Sequence, residues 1–313
     1  MRPRLQRILC TTDFSTFAGR SLSYGIALAH EFGSTLYACH VVDLPAAAVY
    51  GEPAALIYGA AYIDPLAQRE RALKAARAQL EARIADSGAA AEILVTAGRP
   101  AEEITRLAAD TRVDLVIAAT HGRSGLKRLL LGSVTARLMQ TLSCPLLIVN
   151  SPSPETADAQ PAAFRLKRIL IGCDFSPDAA LAFENALSLA QEFEAELHLV
   201  HVIEPPIYKD LQALPAAVDG ELLESLHERL KKRLDRMLPE EACNWCAPQI
   251  ALLEGLPDEE ITRYALDRQV DLIVLGTRGQ GMMEKIFVGS TTERVARRAS
   301  CPVLSVCPKT RQG

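Results

Sequence analysis

Residues 7–15 read RILCTTDFS, and residues 168–176 read RILIGCDFS. The second stretch repeats the first at an offset of 161, which also carries HVVD at 40–43 onto HVIE at 201–204. Farther along the offset falls to 157: GRPAEEITR at 98–106 becomes GLPDEEITR at 255–263, and SCP at 143–145 recurs at 300–302. One net deletion between the second and third strands of the repeat accounts for the change, so the chain is a tandem duplication. Its 313 residues are about twice the usual domain length and divide accordingly. The domains are expected at 1–150 and 165–309. The stretch between them, SPSPETADAQPAAF at 151–164, is rich in Pro, Ser and Ala and reads as a linker.

Each copy alternates short apolar runs with longer segments. RILC, STLYACHVV, AEILVTAG, DLVIAAT and PLLIVN have the character of strands buried on both faces. Helix-length segments lie between them at 17–32, 65–87, 100–111 and 133–142. Pro100 and Pro257 suit a first helical turn, with Glu102, Glu103, Glu259 and Glu260 placed near its positive end. The expected fold class is α/β: two tandem Rossmann-like domains, each a five-stranded parallel sheet flanked by helices. Ligands of such sheets sit beyond the carboxyl ends of the strands, where the strand order reverses. The loops after strands one, two and four therefore matter most.

Composition narrows the field. Apolar residues make up 49% and charged residues 23%, ordinary for a globular chain, and the net charge of -4 gives no general pull toward nucleic acid or anionic lipid. The basic run HERLKKRLDR at 227–236 is interrupted by acidic residues and reads as a solvated helix face. Leu44–Ile63 leans apolar but is broken by Pro45, Glu52 and Pro53, so no membrane insertion is expected. MRPRLQRILCTTD lacks the apolar core of a signal peptide, and a cytoplasmic location is expected. The eight cysteines are too sparse for a disulfide scaffold, and buried free thiols are expected. Cys243 and Cys246 form C-x-x-C without the further ligands a zinc site needs.

The loops at the reversal point carry distinctive residues. Asp13 and Asp174 follow the first strand, and Val41 and Val202 end the second. ATHGRSGLKRLLLGS at 119–133 and GTRGQGMMEKIFVGS at 276–290 follow the fourth. Glycines let backbone amides approach an anion, and a helix opening at Gly-Ser offers unpaired N–H groups and a positive dipole end. A carboxylate after the first strand suits an amine or hydroxyl at the other end of the same ligand. The plainer readings are a tight turn for each glycine and a helix N-cap for Asp13 in Asp13-Phe14-Ser15. Co-occurrence at three loops, twice and in register, favours a ligand site.

The pattern G-x2-G-x9-G-[ST], complete at Gly276, Gly279, Gly289 and Ser290 and departing in the first copy only at Ala119, resembles the universal stress protein family. The duplication resembles its tandem members, and the likeness covers both halves. It implies an adenine nucleotide alpha hydrolase-like fold and ATP, with or without Mg2+, in the groove. By position, Asp13 and Val41 would meet the adenosine end, and Ala119, His121, Gly122, Gly132, Ser133, Val134 and Thr135 the ribose and phosphates. The matching second set is Asp174, Val202, Gly276, Arg278, Gly279, Gly289, Ser290, Thr291 and Thr292. Ala119 would weaken the first site by one methyl, and Arg278 would pair with phosphate. Arg123, Lys127 and Arg128 give the first loop more nearby charge than Lys285 gives the second.

No P-loop, pyrophosphatase loop or HIGH signature is present, and TAGRP and LEGLP replace a receiver-type phosphoacceptor. A binding protein is therefore expected, with no assigned catalytic residue and at most slow ATP hydrolysis. The rival reading is a stress protein with vestigial nucleotide sites that binds another ligand or a partner through its apolar insertions, 44–63 and 203–218. The two copies are expected to pair through their fifth strands, PLLIVN and PVLSVC, with a homodimer as a further arrangement.

Overall fold

Apolar runs without polar alternation require cover on both faces, and the helices between them supply it. The computed structural model describes residues 5–43, 65–120, 131–150, 166–204, 216–279 and 288–308, without the side chains of Thr16, Phe17, Pro65, 216–223 and Cys243. The apolar insertion and linker therefore lie outside the described residues, as does most of 203–218. Two compact units result, one spanning Arg4–Ser151 and the other taking in Pro152–Gly313.

In the first unit the elements are β1 (Arg7–Thr11), α1 (Thr16–Phe32), β2 (Thr35–Val42), α2 (Pro65–Ser87), β3 (Glu92–Ala97), α3 (Pro100–Asp110), β4 (Leu115–Ala119), α4 (Ser133–Thr141) and β5 (Leu146–Val149). The strands lie in the order β3-β2-β1-β4-β5, all parallel. The second unit runs β6 (Arg168–Gly172), α5 (Pro177–Phe193), β7 (Glu196–Ile203), α6 (Ala216–Asp235), β8 (Gln249–Glu254), α7 (Pro257–Asp267), β9 (Leu272–Gly276), α8 (Ser290–Arg298) and β10 (Val303–Val306). Its order, β8-β7-β6-β9-β10, is the same topology. Both are doubly wound α/β sheets, as the alternation of runs predicts. Among the described residues no helix is long and apolar enough to cross a membrane.

Central strands are the most deeply buried: Ile8, Leu9, Val116 and Ile117 in one unit and Ile169, Leu170, Ile273 and Val274 in the other are fully inaccessible. One carboxylate in each unit ties the start of the first strand to the fourth. Asp114 Oδ2 accepts from the amides of Gln6 (2.9 Å) and Arg7 (3.1 Å), and Asp271 Oδ2 from those of Lys167 (2.8 Å) and Arg168 (2.9 Å). The helix limits differ from the sequence expectation by one residue in three places. Thr16 already belongs to α1, and Thr111 and Leu142 cap α3 and α4 instead of lying inside them.

The units diverge at the end of their fourth strands. A Cβ at Gly276 would lie 2.7 Å from the carbonyl carbon of Asp178 and 2.9 Å from the amide nitrogen of Ala179. The first turn of α5 therefore packs against bare backbone, where the first unit carries the methyl of Ala119. A second difference lies at the opposite edge. His198 is buried on β7, its Nδ1 3.0 Å from the Tyr264 hydroxyl and its Nε2 3.5 Å from Glu196 Oε1. Burial holds its pKa below the ordinary value, outweighing the raising pull of Glu196 and aided by Arg268 and Arg168.

Two stability predictions follow the divergence. Gly276→Ala should destabilise the second unit by about 1–3 kcal/mol, because the clash is with backbone, whereas Ala119→Gly should cost about 1 kcal/mol or less. Urea unfolding followed by fluorescence of the single tryptophan, Trp245 in the second unit, reads the former directly. For His198 the folded state binds fewer protons than the unfolded chain. Its contribution is complete above the ordinary histidine pKa of about 6.5 and is lost as pH falls below it. The drop in urea midpoint between about pH 7.5 and 5.5 should be smaller in His198→Tyr, which installs the residue found at the matching position, Tyr37.

Candidate functional site

The loop leaving the first strand turns sharply because Phe14 and Phe175 adopt left-handed backbone, with φ of 66° and 61°. This conformation costs a bulky L-residue about 1–2 kcal/mol, so the surroundings must hold it. Each turn is held in the same way. His40 Nδ1 donates to the Thr12 carbonyl and His201 Nδ1 to the Cys173 carbonyl, both at 2.7 Å. Asp13 Oδ1 accepts from the Ser15 amide at 3.0 Å, and Asp174 Oδ1 from the Ser176 amide at 2.9 Å.

The N-caps belong to the serines: Ser15 Oγ accepts from Ala18 N at 3.2 Å, and Ser176 Oγ from Ala179 N at 3.1 Å. Asp13 is therefore not the cap that its position also allowed, and the carboxylates sit one turn farther out. Asp174 Oδ2 lies 2.7 Å from where a Cβ on Gly279 would stand, so the first-strand carboxylate faces the fourth-strand loop across the crevice.

The fourth-strand loops end alike. Gly132 N donates to Thr120 O at 2.7 Å and Gly289 N to Thr277 O at 2.8 Å. Thr135 and Thr292 are buried, and each hydroxyl donates at 2.7 Å to the last strand carbonyl, of Ala119 and Gly276. These hydroxyls anchor α4 and α8 to the sheet. Neither helix has a side-chain cap bond. The first amides, of Ser133, Val134 and Thr135 and of Ser290, Thr291 and Thr292, thus have no intrahelical acceptor and lie at a positive dipole end.

In the first unit a cavity of about 610 Å3 is bordered by Asp13, Val41, Ala119, Gly132, Ser133, Val134 and Thr135. In the second a cavity of about 560 Å3 is bordered by Asp174, Val202, Gly276, Arg278, Gly279, Gly289, Ser290, Thr291 and Thr292. Two of the residues singled out in sequence, His121 and Gly122, lie outside the described residues, as do Arg123, Lys127, Arg128 and Lys285.

Arg278 is already engaged. Its Nε donates to Asp178 Oδ2 at 3.0 Å and its backbone amide to the same oxygen at 3.1 Å, while the Asp178 side chain is only 8% exposed. The sequence at the matching position reads Phe17, so the first unit has no such carboxylate. The leading motif glycine is explained by the same contact. At 276 it admits the helix backbone that carries Asp178.

The thiols bordering the cavities are protonated at neutral pH: burial, aided by Glu103, pushes Cys39 up to about 12, and burial pushes Cys173 up to about 11. Among the described residues no three His, Cys, Asp or Glu side chains converge as a metal site would require.

Sequence reading missed four kinds of participant. Phe14, His40 and their counterparts were visible as identities in the repeat, RILCTTDFS to RILIGCDFS and HVVD to HVIE, but nothing gave them a role. Arg83 and Arg233, which reach the phenylalanines from α2 and α6, stand at neither offset and left no signal. Asp178 looked like an ordinary first-turn acid.

Comparison with known proteins places these features. The profile of the Universal stress protein family matches residues 4–150 and again 165–306. Universal stress protein MJ0531 of Methanocaldococcus jannaschii is 34% identical over 141 residues, covering 45% of this chain and 81% of that protein. The crystal structure of a universal stress protein from Archaeoglobus fulgidus matches along 100% of this chain and 99% of that one, with 22% identity and a TM-score of 0.61, a likeness of fold. A universal stress protein solved in complex with cAMP is 22% identical over 46% of this chain and 98% of that one, with a TM-score of 0.35. Two profile matches in one chain, each spanning one doubly wound unit, mean that this protein belongs to the universal stress protein family as a tandem two-domain member.

Proposed function

We propose that the protein binds ATP in both strand-end cavities and acts as a nucleotide-dependent regulatory protein of the stress response. One observation carries the reading. In each unit a carboxylate after the first strand and an uncapped helix N-terminus after the fourth border a single cavity, and its size is typical of small-ligand sites. The triphosphate takes the first amides of α4 or α8, and the adenosine end takes Asp13 with Val41, or Asp174 with Val202. On this reading the first site binds despite Ala119, since a contact with the first turn of α5 already accounts for the glycine at 276. His121 and Gly122 join the first site by sequence position. Arg278 contributes from beneath the second site with its charge already compensated by Asp178. Magnesium enters with the nucleotide, and no side chain is assigned to hydrolysis. Occupancy stabilises one arrangement of the loops and so of the surface offered to a partner.

Acid extraction of the purified protein, with mass identification and stoichiometry, tests the reading. Two ATP per chain are expected, and ATP at a hundred times its Kd should stabilise the fold by about 2.7 kcal/mol, with cAMP giving a smaller shift. Absence of nucleotide together with an unmoved melting temperature on adding ATP would sink the proposal. Gly289→Val should lower the stoichiometry to one, because a branched side chain there blocks the approach of phosphate to the loop, while its Cβ makes only ordinary contact, 3.4 Å from the Thr277 carbonyl and 3.7 Å from the Gly279 amide nitrogen. Two ATP in that variant would place the phosphates elsewhere.

A further inference from the structure

The left-handed phenylalanines are held by more than their own loops. Phe14 lies against the His40 ring with centroids 4.2 Å apart and planes tilted by 31°, and Phe175 lies against His201 at 4.8 Å and 46°. On these rings rests a guanidinium from the long helix before the third strand. Arg83 of α2 stands 5.4 Å from the Phe14 centroid, and Arg233 of α6 stands 3.9 Å from that of Phe175. Arg83 Nη2 also donates to the Phe14 carbonyl at 2.8 Å. Each unit thus builds a His-Phe-Arg arrangement around the residue that follows its site carboxylate.

The phenylalanines and histidines correspond at the offset of 161, and Arg83 and Arg233 stand 150 residues apart, in the stretch between the second and third strands where the offset changes. At that local spacing Leu80 falls on Leu230 and Ile84 on Leu234, so both copies carry the arginine at the same place on the helix. A guanidinium over an aromatic face is attracted by the ring's quadrupole and is retained where it orders something. What it orders here is a backbone that a bulky residue adopts only under constraint. The ordered peptide sets the direction of the preceding carboxylate, whose other oxygen already accepts the serine amide.

We infer that Arg83 and Arg233 are positioning residues that fix Asp13 and Asp174 toward the adenine end of the ligand and thereby set selectivity for an adenine nucleotide over a bare polyphosphate. The inference rests on the nucleotide reading for its ligand, but not for its mechanics. The arginine pins the ring, the ring fixes the left-handed turn, and the turn aims the carboxylate. Among the described residues these contacts stop short of the first amides of α4 and α8; in the second unit the turn also meets the motif loop, where Ser176 Oγ donates to the Arg278 carbonyl at 3.2 Å.

The test uses the full chain with both arginines replaced, Arg83→Ala with Arg233→Ala, and titrates ATP and inorganic tripolyphosphate by calorimetry. ATP affinity should fall about tenfold and tripolyphosphate affinity should stay unchanged. Lysines at both positions should restore part of the loss, since an ammonium keeps the cation over the ring. Phe14→Gly with Phe175→Gly, which removes the ring on which the guanidinium rests, should give the same selective loss. Equal loss of ATP and tripolyphosphate, or no loss of either, overturns the inference while leaving the nucleotide reading intact. Should the wild-type protein bind no ATP, the nucleotide reading fails separately. Hydrogen exchange then decides the mechanics: amides 14–18 must exchange faster in the unliganded double alanine variant, and unchanged exchange overturns the inference.

Discussion

Parallel pairing of the first strand with the fourth is the constraint from which the rest of each unit follows. With β1 between β2 and β4, the chain leaves β1 toward one side and β4 toward the other. The two connections part above the carboxyl ends and leave a crevice, bordered by α2 in the first unit and α6 in the second. A register slip between these strands would move the turn carrying Asp13 away from the helix that begins at Ser133. Asp114 and Asp271 oppose such a slip from the far edge, each binding two amides of the first strand. The candidate site is thus aligned by carboxylates at the opposite end of the strands.

Much of this was legible in the sequence, for definite reasons. Repetition at two offsets gave the duplication, and uninterrupted apolar runs gave parallel strands, because a strand covered on both faces cannot alternate. Pro65–Ser87 matched its expected limits, since Pro65 suits a first helical turn and Gly88 follows with positive φ. The other helix limits moved by one residue at caps, where backbone geometry decides and composition says little.

The site was legible only where the motif fixed both residue and role. Asp13 stood in the right loop, yet whether it or Ser15 capped α1 depended on the sign of one backbone angle at Phe14. Thr135 and Thr292 were expected at the ligand, and their hydroxyls turn out to hold the helix to the strand. Arg83 and Arg233 escaped because their partners are distant in sequence and their own spacing follows neither offset. Contacts made between elements leave a trace in one sequence only when the repeat copies both partners at one offset.

Gly276 has a consequence for how such chains change over evolutionary time. Its lack of a side chain is enforced by the backbone of Asp178 and Ala179, so the position cannot gain a methyl until the start of α5 has moved. The two places form an epistatic pair, in which the order of substitutions is dictated by geometry. A comparison counting motif glycines would score Ala119 as decay toward a lost site. The contact at Gly276 means that such a glycine can be required by helix packing, so its replacement is no measure of a lost site.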